Sequence, residues 1–146
     1  MIEKFFEIKG FLEHEEGIAL YEACKNSFKN GNCVEIGSYC GKSACYIGLA
    51  CKEVGSKLFS IDHHKGSEEQ QFGEEYFDEE IYDFSKKQVN TLPIFLKNIK
   101  KFNLEEHIEP MIAGGFHYDK PISSFLAEAI ALENAVHGTW LIREGL

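Results

Sequence analysis

The chain has 146 residues, a formal charge of -9 and 44% hydrophobic residues, enough for one core but not two. Its acidity argues against a nucleic acid as substrate, because a phosphate backbone would be repelled unless the lysines were gathered on one face. No apolar run approaches the roughly 20 residues of a membrane span, and residues 1–9 are too acidic for a signal peptide. No membrane partner, a cytoplasmic location and a small-molecule substrate are therefore expected.

In chain order, the pattern predicts a leading helix over about residues 12–29, with Ile18, Leu20, Tyr21, Cys24 and Phe28 as its apolar stripe. Residues 33–36 have the length and β-branched content of a buried strand. Gly37 then permits a sharp turn, and Gly41 starts a helix of small residues. A second strand over 57–62 ends in an acid, Asp62, where fold logic puts a contact to a ribose hydroxyl. Residues 66–84 read as a long irregular insertion at the carboxyl end of that strand. Asn90 or Thr91 caps a helix with Pro93 in its first turn, running to about Asn103, and 108–113 look like a third strand. The pattern is one α/β unit over 1–146, with no repeat and no linker.

Spacing discriminates among readings of the glycine loop. A Walker A loop would need glycine at position 36, which is Ile36. The dinucleotide fingerprint would need glycine at 39, where Tyr39 stands. What remains is Glu35, Gly37 and Gly41, which suits a ligand with an adenosine and a cationic end but no phosphate, since a carboxylate repels phosphate and favours an ammonium or sulfonium. A glycine-cornered turn in a core without ligand is the plain alternative.

The five cysteines, Cys24, Cys33, Cys40, Cys45 and Cys51, form no pair spaced by two residues, so neither a zinc site nor redox chemistry is expected from them. They read as reduced, small core residues, with Cys40 in the loop as the one candidate reactive thiol. His63 and His64, adjacent at a strand end, point opposite ways and do not suit one metal; a polar wall of the site is the expectation. The seven carboxylates between Glu68 and Glu80, interleaved with Phe72, Tyr76 and Phe77, read either as a lid selecting a polar or cationic substrate or as a solvated loop with its aromatics tucked onto the core. The second reading is favoured, since charge runs usually face water.

Residues 35–43, 61–70 and 90–95 resemble the class I S-adenosylmethionine-dependent methyltransferases, in particular the branch labelled methyltransferase family 24. The resemblance runs from about Gly10 to about Gly114. It implies a Rossmann-like methyltransferase sheet with flanking helices and S-adenosylmethionine as cofactor. By it, Glu35, Gly37, Ser38 and Gly41 border the methionine part, Asp62 takes the ribose hydroxyls and His63 flanks the adenosine or the substrate mouth. Tyr39 and Ser43 complete the candidate cofactor site.

After Gly115 the chain departs from that pattern. Ile122, Phe125, Leu126, Ala129 and Ile130 recur at helical spacing, so an amphipathic helix is expected where the family continues with a fourth strand and its acid or metal motifs. His117 and His137 lack a neighbouring acid and read as surface residues. The expectation is a fold incomplete at its C-terminus over 115–146: three strands, an open edge that invites a homodimer, and poor or absent methyl transfer. A non-catalytic remnant or binding module, and more weakly another nucleotide-binding protein, stay open beside the small-molecule methyltransferase.

Overall fold

A computed structural model describes residues 1–27 and 31–112 in full and residues 138–142 as backbone. The elements are α1 (His14–Ser27), β1 (Asn32–Ile36), α2 (Lys42–Val54), β2 (Leu58–Asp62), β3 (Tyr82–Asp83), β4 (Gln88–Val89), α3 (Leu92–Lys101), β5 (Ile108–Ile112) and β6 (Gly138–Ile142). Four strands form one sheet in the order β5-β2-β1-β6. All its pairings are parallel, with Glu35 opposite Ser60, Asp62 opposite Ile112 and Val34 opposite Trp140. The order of the four, third-second-first-fourth along the chain, is that of a doubly wound α/β sheet at its switch point, which falls between β1 and β6.

The three strands read from the sequence form β5-β2-β1, and a fourth joins them. β6 lies against β1 and occupies the edge expected to stand open. At the opposite edge of the described sheet, β5 carries Pro110, which has no N–H to give a further strand and so fits an edge position. The expected amphipathic helix, His117 and His137 lie outside the described residues.

α2 is buried from Ser43 through Cys51 without a break. Small residues make this feasible by allowing close approach on several sides. A Cβ on Gly48 would stand 2.5 Å from Ile108 Cδ1, and one on Gly17 of α1 would stand 2.3 Å from the Tyr46 ring. Around Tyr46, Phe5 packs edge-on at 5.1 Å and meets Phe102 at 4.8 Å, contacts worth about 0.5–1.5 kcal/mol each beyond their burial. Tyr46 keeps its hydroxyl satisfied 2.7 Å from His14 Nδ1.

The close approach of Gly17 to the Tyr46 ring sets the phase of α1. Gly17, Leu20, Tyr21 and Cys24 lie on one i, i+3, i+4, i+7 face; Gly17 and Cys24 are buried, and Leu20 and Tyr21 pack on the core. Ile18 sits about 100° further round and is 36% exposed, so the predicted stripe was one residue out of phase there. Phe28 lies outside the described residues.

The segment between β2 and α3 is more ordered than its composition suggests. Short turns at Glu68–Gln70 and Glu79–Ile81 precede an antiparallel β3–β4 hairpin. Its aromatics are not tucked onto the main core. Phe72, Phe77, Tyr82 and Phe84 pack on one another at 5.0–5.9 Å, and Phe72, Tyr76 and Phe84 remain exposed. Lys9 forms ion pairs with Asp78 and Glu80, fastening the N-terminal segment to the insertion.

Candidate functional site

The glycine loop leaves β1 at the carboxyl edge of the sheet, where the Gly37 amide bonds the Ile61 carbonyl at 2.8 Å. Of the five residues between β1 and α2, three have positive φ: Gly37 at 86°, Tyr39 at 49° and Gly41 at 88°. Only glycine takes such angles at little cost, so Gly37 and Gly41 are dictated by the turn. Their surroundings differ. Beside Gly41 a Cβ would meet the Phe95 ring at 2.9 Å, whereas beside Gly37 nothing among the described residues comes within 4 Å. Gly41 is therefore a packing glycine, and Gly37 borders open space over the strand ends.

Asp62 at the end of β2 organises the loop. Its Oδ2 accepts from the amide of Ser38 at 2.7 Å and of Tyr39 at 2.8 Å, with the Ser38 hydroxyl at 3.4 Å. Its Oδ1 accepts from the His64 amide at 2.8 Å. Charge-assisted bonds of this kind are about twice as strong as neutral ones. The Gly41 amide, for its part, bonds the Ser38 carbonyl at 2.7 Å. Amides that would face the anion in a phosphate-binding loop here face the protein itself. From α3, Asn98 donates to the Cys40 carbonyl at 2.9 Å and holds the far side of the turn.

Glu35 is 1% exposed. Its two carboxylate oxygens accept from the hydroxyls of Ser43 and Ser60, the latter at 2.8 Å. Ser43 is thereby committed to the carboxylate beneath the loop. Any effect of Glu35 on a ligand above it is exerted by charge from below. Tyr39 leans on Phe11 at 5.9 Å between ring centres, and burial raises its pKa to about 12. Cys40, fully buried against Ile81 and Val89 of the insertion, is pushed up to about 12 by the same cause, so it is no reactive nucleophile.

The two histidines divide as the strand end predicts. His63 lies 4.0 Å from Asp62 Oδ1, and its Nδ1 accepts the Lys65 amide at 2.9 Å. Burial lowers its pKa, against the opposing pull of Asp62. His64 is the buried one, at φ 58°, with Nδ1 2.8 Å from the Thr91 hydroxyl and its ring 5.2 Å from that of Phe95. Its Nε2 has no hydrogen-bond partner of good geometry among the described residues, although the Tyr39 backbone lies close enough to favour the protonated ring slightly. Burial dominates and lowers the His64 pKa.

Glu35, Gly37, Ser38, Tyr39, Gly41, Ser43, Asp62 and His63 are thus gathered at one edge of the sheet. Sequence reasoning gave His64 and Thr91 only general roles, as polar wall and helix cap. Thr91 does precede α3 but makes no side-chain cap bond, because its hydroxyl is turned to His64. The sequence signal for that choice is slight: a histidine at a strand end and a threonine before a proline-started helix.

Among solved structures, the chain is similar to the S-adenosylhomocysteine-bound methyltransferase PaMTH1 of Podospora anserina, with 12% identity and a TM-score of 0.48. That alignment covers 81% of this chain and 37% of the other, so the chain spans little more than a third of that protein's length. The model of the family 24 methyltransferase domain matches residues 34–116, which includes the glycine loop, Asp62, the insertion, α3 and β5. With more than half of its residues inside that match, the chain belongs to the methyltransferase domain family.

Proposed function

We propose that the chain binds S-adenosylmethionine across the carboxyl ends of β1 and β2 and serves methyl transfer to a small molecule. The observation that carries the reading is the capture of the Ser38 and Tyr39 amides by Asp62, which leaves the loop with little to offer a phosphate while open space remains beside Gly37. An adenosine ligand with a cationic rather than an anionic tail suits that loop, and the buried Glu35 carboxylate beneath it adds favourable charge. Oδ1 of Asp62, which accepts from the His64 amide, keeps acceptor capacity for a ribose hydroxyl. When bound, the cofactor supplies a methyl group already activated on sulfonium, so the protein's task is positioning. Acidic charge over the whole chain and in the insertion disfavours a nucleic acid acceptor and supports a small one.

Calorimetry with S-adenosylhomocysteine, ATP and NAD tests the binding step. Binding of the first alone is expected, and Gly37→Ala should weaken it both by filling the open space and by straining the left-handed turn, while circular dichroism stays native. Preference for ATP or NAD would overturn the reading. A non-catalytic binding module is the second reading. Steady methylation of any acceptor in a panel of catechols, sugars and amines would exclude it.

A further inference from the structure

Three cysteines far apart in spacing meet at the end of the sheet opposite the glycine loop. Cys24 comes from α1, Cys33 from the start of β1 and Cys51 from the last turn of α2. Their sulfurs all lie within 4.8 Å of one another, with Cys24 Sγ 3.1 Å from Cys33 Sγ. None is in a disulfide, and the three are 2%, 0% and 0% exposed. Among the described residues no fourth histidine, cysteine or carboxylate joins the group. We propose that Cys24, Cys33 and Cys51 form a closed, three-sulfur site for one soft, thiophilic metal ion of the Cu(I) class.

The size fits. With metal–sulfur bonds of about 2.3 Å, three ligands around one ion in a plane stand about 4 Å apart, so small side-chain adjustments suffice. The ligand set selects the ion. Structural zinc sites are four-coordinate, and this group offers three donors in a buried position closed to a water as the fourth. Soft thiolates suit Cu(I). Each thiolate–metal bond formed releases one thiol proton to solvent, and no electron moves. Once bound, the ion would tie α1 to β1 and α2, so its effect would be on stability. The site stands independently of the proposed cofactor site.

The test is an anaerobic titration of the reduced chain with Cu(I), supplied as its acetonitrile complex, in competition with a chromophoric Cu(I) chelator. One ion held per chain, a sulfur-to-metal charge-transfer band and a raised Tm are expected. Cys33→Ala should lose the competition, while Cys45→Ala, which removes a buried thiol outside the group, should keep it. X-ray absorption on the unmutated chain should find three sulfur neighbours, a measurement that does not depend on any variant folding. Failure of the unmutated chain to compete would overturn the proposal. So would retention by Cys33→Ala, or a metal shell of two sulfurs or of nitrogen and oxygen.

Discussion

His64 and Thr91 hold each other twice: the two side chains meet at 2.8 Å, and the Thr91 amide donates to the His64 carbonyl at 3.0 Å. This double link joins the end of β2 to the start of α3 across the 26 residues of the insertion between them. Thr91→Val keeps the shape and the backbone bond but strands Nδ1 of a buried ring. A loss of about 1–3 kcal/mol in denaturant unfolding is expected, the usual penalty for a buried polar group left unsatisfied. Unchanged stability would show that water replaces the hydroxyl.

Both histidines at the end of β2 have folded-state pKa values below their ordinary 6.5, chiefly through burial. Below about pH 6.5 the unfolded chain therefore takes up protons that the folded chain refuses, and stability falls as pH drops toward the folded values. The Tm should decline on going from about pH 7 to pH 5. Asp78 and Asp83, whose carboxyls are held below their ordinary 3.8, weaken the fold only at still lower pH. A Tm that stays flat between pH 7 and 5 would contradict this assignment.

Asp62 is expected to matter twice, since its carboxylate both holds the loop amides and faces the proposed ribose position. Asp62→Ala should lower S-adenosylhomocysteine affinity by about 1.5–3 kcal/mol, the usual size for a charge-assisted hydrogen bond. It should also lower Tm in the absence of ligand, because two loop amides lose their acceptor. Calorimetry and thermal unfolding of the same variant separate the two effects. An unchanged Tm would remove Asp62 from its structural role, and an unchanged affinity would remove it from the site.

What the sequence made legible was local. The strand, loop and helix from Cys33 to Val54 follow from β-branched content, glycine placement and small-residue composition, all written within about twenty consecutive residues. The acid at Asp62 was visible as well, but its capture by Ser38 and Tyr39 depends on a parallel register that no short window contains. β6 was missed although residues 138–142 end in a short apolar run much like that of β1. The meeting of Cys24, Cys33 and Cys51 was hidden because spacing rules register only neighbours in sequence. The phase of α1 failed at Ile18 because the deciding contact is made by a glycine, which carries no hydrophobic signal.

Gly17→Ala tests that last contact. The added methyl would stand 2.3–2.7 Å from three atoms of the Tyr46 ring, and the ring is fully buried with no room to swing away. Despite alanine's better helix propensity, a net loss of about 1–3 kcal/mol is expected from overpacking. Calorimetric unfolding that shows a gain instead would mean that α1 shifts off α2 freely.

A helix buried from Ser43 through Cys51 has no side from which solvent can peel it. Surface helices fray and reclose locally, so their amides trade hydrogen for deuterium well before the molecule unfolds. For the middle of α2 no such partial opening is available without dismantling α1, β1 and the aromatic group around Phe5 at once. Its amides should exchange last and together, at a rate set by global unfolding. The segment that carries the glycine loop would then be the slowest clock in the molecule, and the loop it supports would keep its shape until the whole chain lets go.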